Sequence, residues 1–349
     1  MRALTVVPHR AGSLALTEVP DPVPGPGDLL VESVAVGVCG TDREVVSGDY
    51  GYAPPGRERL VIGHESLGRV RQAPAGSGFS PGDLVVGLVR YPDPVPCVAC
   101  AHGEPDMCRN GRYTMRGLKE LDGYASEMWS VETHCAVRLD SGLGETGVLL
   151  QPASVVAKAW EQIEKIGTRS WFEPRRVLVT GAGPFGMLAA LLGVQRGLDV
   201  HVFDFVKSGP KPALVADLGA TYHTGWIEDV VTALKPDVVV EACGAAEVFT
   251  GTLSAIGPYG IVCLTGVTPS SRRITVDVGT LNREMVLENA VVIGTIDSNL
   301  RHFTAAAGAL AVSNHDWLAR LISRRVPLHR YADAYDRREN EVKVVLTFG

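Results

Sequence analysis

The sequence has no run approaching the roughly 20 uninterrupted apolar residues that a membrane span requires, and its opening stretch, MRALTVVPHR, has no apolar leader core. A membrane partner is not expected, and a cytoplasmic protein is. The chain also has no block of lysine and arginine, and its net charge is -6. Nothing is present to release phosphate counterions, which argues against nucleic-acid binding. Internal repeats and low-complexity segments are absent. The seven cysteines are too unevenly spread for a disulfide framework. Cys135, Cys243 and Cys263 lie inside apolar runs and read as small buried hydrophobes.

What is present is 349 residues, 46% of them apolar, enough for about two domains. Up to about residue 150 the chain is a series of short β-branched runs (ALTVV, DLLVESVAVGV, DLVVGLV, HCAVRL) broken by Gly and Pro, the pattern of a compact all-β unit. Ser154 to Ile166 carries apolar residues at helical spacing and bridges to a second region. There strand-like and helix-like segments alternate: RRVLVTG, MLAALLGVQRG, VHVFDF, KPALVADLGA, DVVVEACG, VFTGTLSAIGP and IVCLTGV. Alternation of this kind predicts βαβ units on a parallel sheet. From about Asn299 the rhythm changes, and the final run VKVVLTF is expected to rejoin the first domain. The expected division is 1–155 with 300–349, and 156–299.

Two constellations carry chemistry. In VLVTGAGPFG an apolar strand breaks into Gly181, Gly183, Pro184, Phe185 and Gly186, a GxGxxG turn, and Asp204 follows at the end of the next strand. Such a turn brings backbone against a dinucleotide's pyrophosphate, and a carboxylate placed like Asp204 accepts from both ribose hydroxyls and repels a 2′-phosphate. NAD is therefore preferred, with NADP possible because Lys207 and Lys211 follow closely. Earlier, GVCGTD and GHE supply Cys39, His64 and Glu65, the ligand types that a catalytic zinc takes from protein. Alone, GHE would read as a polar pair on a strand edge.

GVCGTD, GHE, a cysteine cluster and GxGxxG in this order resemble the zinc-dependent medium-chain alcohol dehydrogenases over essentially the whole chain. QPASVVAKAWE and REMVLENAVVIGTIDSNLRHF most resemble the glucose 1-dehydrogenase branch. The resemblance implies a GroES-like catalytic domain with a Rossmann nucleotide domain, and oxidation of a small-molecule sugar or polyol-type alcohol by NAD(P). It makes Cys39 and His64 zinc ligands, Glu65 a fixed or exchangeable one, and Gln151 the last ligand, directly or through water. Asp42 would orient the ligand histidine and Thr41 would receive the substrate proton. Gly244, Gly266 and Asn299 join the cofactor set, and Thr41, Met115, Ser154 and Asn299 face the substrate.

Within that resemblance the chain departs from the pattern twice. Family members with a structural zinc carry four cysteines in the lobe, and here only Cys97, Cys100 and Cys108 remain, with Pro94 near the place of the first. Asp93 is the nearest replacement, so the lobe either holds zinc through Asp93 and three thiols or is metal-free. Glucose-specific relatives contact sugar hydroxyls from positions matched here to Val89, Met115 and Ser154, two of them apolar. A substrate less hydrophilic on one side, such as a cyclitol or modified sugar, is therefore an alternative to glucose, and a non-catalytic NAD-binding sensor is an alternative of another class. The family pairs through its nucleotide domains, so a homodimer or homotetramer is expected, with GTLSAIGPYGIVCLTGV as a candidate pairing strand.

Overall fold

The computed structural model describes residues 1–253, 256–268 and 272–349. It divides into two compact units, Met1–Ser154 with Asp297–Gly349, and Val155–Ile296. Asp297, Ser298 and Asn299 thus go with the first unit, not the second as the sequence reading had it.

The first unit is organised on the long strand Asp28–Val38, whose burial alternates over its first part and becomes continuous towards Val38. Strands Ala136–Arg138, Leu84–Gly87, Glu65–Gln72, Asp28–Val38, Lys343–Thr347 and Ile322–Pro327 lie side by side in that order, and Met128–Glu132 also pairs with Asp28–Val38. Register sets Gly37 opposite Glu65 on one side and Val345 on the other. The final apolar run therefore does rejoin the first unit, between Asp28–Val38 and the edge strand Ile322–Pro327. The first 150 residues are not all β, however. An eight-residue helix, Gly40–Ser47, and the single turn Val98–Ala101 interrupt the strands, because Cys39 and Cys97 are each followed by short helix-compatible stretches and not by alternating ones.

In the second unit the runs VLVT, VHVF, VVVE and IVCL form strands that are buried almost throughout, as parallel strands covered on both faces must be. Six parallel strands stand in the order Thr221–His223, Asp199–Phe203, Arg176–Thr180, Val238–Glu241, Ile261–Leu264, Val291–Gly294. The direction of winding reverses between Arg176–Thr180 and Val238–Glu241, and ligands of such sheets bind beyond the strand ends at that switch. Strand Thr221–His223 and helix Ile227–Leu234 had no counterpart in the sequence reading; three residues are too few to show a period. Of the helix expected over 248–258, Ala246–Leu253 is seen, and Ser254 and Ala255 lie outside the described residues. The bridging helix starts at Leu150, not Ser154, and runs to Gly167, which puts Gln151 and Ser154 in its first turns.

Leu178, Phe203, Val239 and Val262 from the sheet pack with Ile227, Val231 and Val248 from the helices, all buried. Leu178→Ala is expected to cost about 2–5 kcal/mol of the second unit's stability, read as a lower urea midpoint with an unchanged slope. A change under half that range would show that the cluster collapses around the deletion.

Candidate active site and nucleotide turn

The strand that ends at Val38 passes directly into helix Gly40–Ser47, and Cys39 is the residue that caps it. Its Sγ accepts from the Thr41 amide at 3.2 Å, while Asp42 Oδ2 accepts from the Cys39 amide at 2.9 Å. This is a capping box with sulfur in place of the usual hydroxyl. The other Asp42 oxygen lies 3.1 Å from His64 Nδ1, which leaves Nε2 facing Cys39 Sγ at 3.3 Å. The ligand atoms of Cys39, His64 and Glu65 all lie within 4.8 Å of one another. Burial pulls the His64 imidazole down, but Asp42 and Cys39 outweigh it and hold the group well above the ordinary histidine value. Burial raises Asp42, and His64 together with the Cys39 amide brings it below the usual carboxylate range. A thiolate, a carboxylate and an imidazole whose far nitrogen is held by a second carboxylate fit a catalytic zinc. Gln151 is buried, and its Oε1 accepts no hydrogen bond among the described residues, the state expected of an amide whose oxygen serves a metal.

One participant escaped the sequence reading. Glu65, fully buried, forms an ion pair with Lys343, also buried, whose Nζ donates to the Val38 carbonyl at 3.2 Å. A side chain on Gly37 would stand 1.9 Å from Glu65 Oε2, so any larger residue at this position of the strand would displace the ion pair. The available signal was a lysine inside the apolar run VKVVLTF, because lysine is almost never fully buried unless paired. Tyr335 is a second addition: burial, with Asp42 and Cys39 nearby, drives its phenol well above the usual range.

Several expected contacts are otherwise engaged. The Ser154 hydroxyl is fully buried, donates to the Gln151 carbonyl and sits 2.7 Å from Ser298 Oγ. Asn299 caps helix Leu300–Ala311, accepting from the Arg301 amide and donating to Asp106 Oδ1 at 2.8 Å. Met115 and Val89 are core residues; the polar group beside them is Arg90, which pairs with Asp297 and stacks on the Tyr113 ring at 3.7 Å. In the cysteine lobe the three thiols come within 4.8 Å of one another, and Asp93 is not among them. Backbone amides, Arg109's first, lower the Cys97 thiol to about 6, and burial raises Cys100 to about 11.

In the second unit Gly183, with Pro184 and Phe185 behind it, opens helix Pro184–Gln195. A Cβ on Gly186 would stand 1.6 Å from the Gly181 carbonyl oxygen, whereas one on Gly183 would meet nothing within 4 Å. The first glycine is thus required by the fold, and the second keeps a surface bare. Asp204 accepts from the Ala182 amide at 2.7 Å and pairs with Lys211 at 3.1 Å. Lys207, by contrast, is exposed on the loop, so Lys211 is the cation that offsets Asp204. Gly244 and Gly266 approach each other too closely for side chains, a packing reason for both residues.

Comparison with known proteins agrees in both units. A model of the alcohol dehydrogenase GroES-like domain matches residues 25–141, and a model of the glucose dehydrogenase C-terminus matches residues 144–348. A glucose 1-dehydrogenase of Methanocella arvoryzae is 37% identical, with all of both chains covered; one of Thermoproteus tenax is 37% identical over 99% of each. A Haloferax mediterranei glucose dehydrogenase, solved in complex with NADP, Zn and gluconolactone, superposes with a TM-score of 0.91 at 31% identity, covering 100% of this chain and 99% of that one.

Lys343→Met, which strands the Glu65 charge in the core, is expected to cost the metal-free protein about 3–5 kcal/mol in urea unfolding; an unchanged midpoint would mean that Glu65 needs no counterion. Gly186→Ala should lower the melting temperature. Gly183→Ala should leave it unchanged yet weaken NAD binding by about tenfold or more in fluorescence titration.

Proposed function

The chain belongs to the zinc-dependent medium-chain alcohol dehydrogenases, in the glucose dehydrogenase branch, and from that premise we propose that it oxidises the C1 hydroxyl of glucose, or of a closely similar aldose, to the lactone. It is a zinc-dependent sugar dehydrogenase using NAD(P), as the resemblance read from GVCGTD, GHE and GxGxxG implied, and the sensor alternative falls. The observation that carries the site assignment is the convergence of Cys39, His64 and Glu65 within 4.8 Å. Glucose is supported by the relatives' names and by the gluconolactone in the Haloferax complex. The case against it rested on the apolar Val89 and Met115, and Arg90, whose guanidinium lies 3.7 Å from Met115 Sδ, brings a polar group to that place.

Cys39, His64 and Glu65, with Gln151, would hold the zinc, which when bound supplies Lewis-acid polarisation of the substrate oxygen. Asp42 fixes the histidine's orientation through Nδ1, so that Nε2 is the nitrogen presented. The Thr41 hydroxyl, two residues from Cys39, accepts the proton leaving the substrate and passes it outward. The glycine turn at Gly181 to Gly186 would seat the pyrophosphate of NAD(P), which when bound supplies the hydride acceptor. Asp204, at the end of the strand that follows the glycine turn, supports NAD as the preferred cofactor, and Lys211, 3.1 Å from it, supports use of NADP, the cofactor in the Haloferax complex.

Pairing of two copies through the second unit completes the proposal. The strand in the expected pairing segment, Ile261–Leu264, is flanked by strands on both sides and offers no edge; Val291–Gly294 is the outer strand of the sheet instead, and on helix Val278–Leu287, Val278, Val286 and Leu287 are more than 60% exposed. An open edge beside exposed apolar side chains calls for cover. The seven unpaired cysteines suit a reducing cytoplasm.

With zinc-loaded protein, NAD(P)H formation should be fastest on glucose among aldoses, linear polyols and cyclitols and should stop on chelation; turnover confined to cyclitols would replace the sugar assignment. Thr41→Val should lower kcat by roughly 10²–10⁴-fold while leaving NAD affinity in place. Val286→Asp with Leu287→Asp should halve the mass seen by light scattering, and an unchanged mass would place the interface elsewhere.

A further inference from the structure

The glycine turn and Asp204 stand at the carboxyl ends of strands Arg176–Thr180 and Asp199–Phe203, and they account for one half of a dinucleotide. A doubly wound sheet is built of two mononucleotide halves and takes its ligand beyond the strand ends on both sides of the switch. The nicotinamide half therefore falls to the ends of Val238–Glu241, Ile261–Leu264 and Val291–Gly294.

The fold itself occupies most polar side chains at these three ends. Glu241 Oε1 accepts from the Cys243 amide at 2.9 Å, from the Gly244 amide at 2.8 Å and from the Thr180 hydroxyl at 3.3 Å. The Thr265 hydroxyl donates to the Glu241 carbonyl at 2.9 Å. Thr295, the first residue after Val291–Gly294, differs. It is 9% exposed, and its Oγ1 has no hydrogen-bond partner among the described residues. Leaving a buried hydroxyl unsatisfied is costly, so such a group in a native fold calls for a reason. Nor is Thr295 free to swing towards another partner. Its amide donates to the Leu264 carbonyl at 2.9 Å, and the Ile296 carbonyl next to it accepts from Lys158 Nζ at 2.9 Å. On a backbone held from both sides, a β-branched side chain has few rotamers to choose from.

We infer that the Thr295 hydroxyl orients the nicotinamide ring by hydrogen bonding to its carboxamide, an inference that rests on the dinucleotide reading of the glycine turn. The carboxamide is the ring's one polar substituent. Its carbonyl accepts and its amino group donates, and a hydroxyl matches either. A ring held through that group does not turn about its bond to the ribose, so one face of the hydride-accepting carbon stays presented. Thr295 is thus a cofactor-positioning residue of the second unit.

Thr295→Val in the zinc-loaded full chain replaces the hydroxyl with a methyl group of similar shape. NADH binding, followed by fluorescence titration, should weaken about three- to tenfold, the worth of one neutral hydrogen bond. ADP-ribose, which has the same adenosine and pyrophosphate but no nicotinamide, should bind within about twofold of wild type by calorimetry. Thr295→Ser, which restores the hydroxyl, should hold NADH within about twofold of wild type. The melting temperature of cofactor-free Thr295→Val protein should not fall, because no hydrogen bond of the fold is lost. NADH and ADP-ribose weakened alike, with a lowered melting temperature, would overturn the inference, since the hydroxyl would then serve the fold. Unchanged NADH affinity in folded Thr295→Val protein overturns it as well, as does a serine variant no better than the valine one. Wild-type protein that bound neither ligand would instead remove the reading of the glycine turn, and this inference with it.

Discussion

Everything in the first unit's site depends on one buried ion pair. Glu65 and Lys343 are both out of water, and taking each charge out of water costs several kcal/mol, which only close pairing offsets. The pair fixes three neighbouring strands at once: Glu65 opens its strand, Lys343 opens the last one, and Gly37 between them clears the space. Cys39 lies just beyond Gly37, and His64 just before Glu65. A one-residue slip in either pairing would turn Glu65 or Lys343 to the other face of the sheet, leaving its partner as a lone buried charge. The metal ligands are therefore held in register by electrostatics beneath them more than by contacts among themselves.

The same economy of parts recurs at Cys39, whose sulfur both caps a helix and offers itself to a metal. Asp42 likewise closes the cap with one oxygen and holds His64 with the other. Removing either residue would disturb the helix start and the donor set together. In the second unit the two tasks are separated: Gly186 serves the fold and Gly183 keeps a surface bare.

The motifs legible in the sequence were those in which chemistry demands a particular atom at short range. GVCGTD, GHE and the glycine turn are local, and each sits where its spacing implied. Lys343 was not legible as part of the site because its partner lies far away along the chain and meets it only through strand pairing. The Arg90–Asp297 pair is of the same kind. Ser154 and Asn299 have residue types that suit a sugar contact, but helix geometry turns both into internal hydrogen-bonding groups. Asp93 was the nearest acid to the thiols along the sequence, yet its loop uses both oxygens. Proximity in sequence does not determine which way a carboxylate turns.

The place of strand Lys343–Thr347 has a consequence for how the protein is made. It lies inside the first sheet, between Asp28–Val38 and Ile322–Pro327, so that sheet stays incomplete on the ribosome until the second unit and then residues 343–347 have been synthesised. The second unit is one continuous segment, Val155–Ile296, and can fold as soon as it emerges. The dinucleotide turn is thus in place while Glu65 still waits for its counterion, and capture of the catalytic metal becomes one of the last events in the birth of the enzyme.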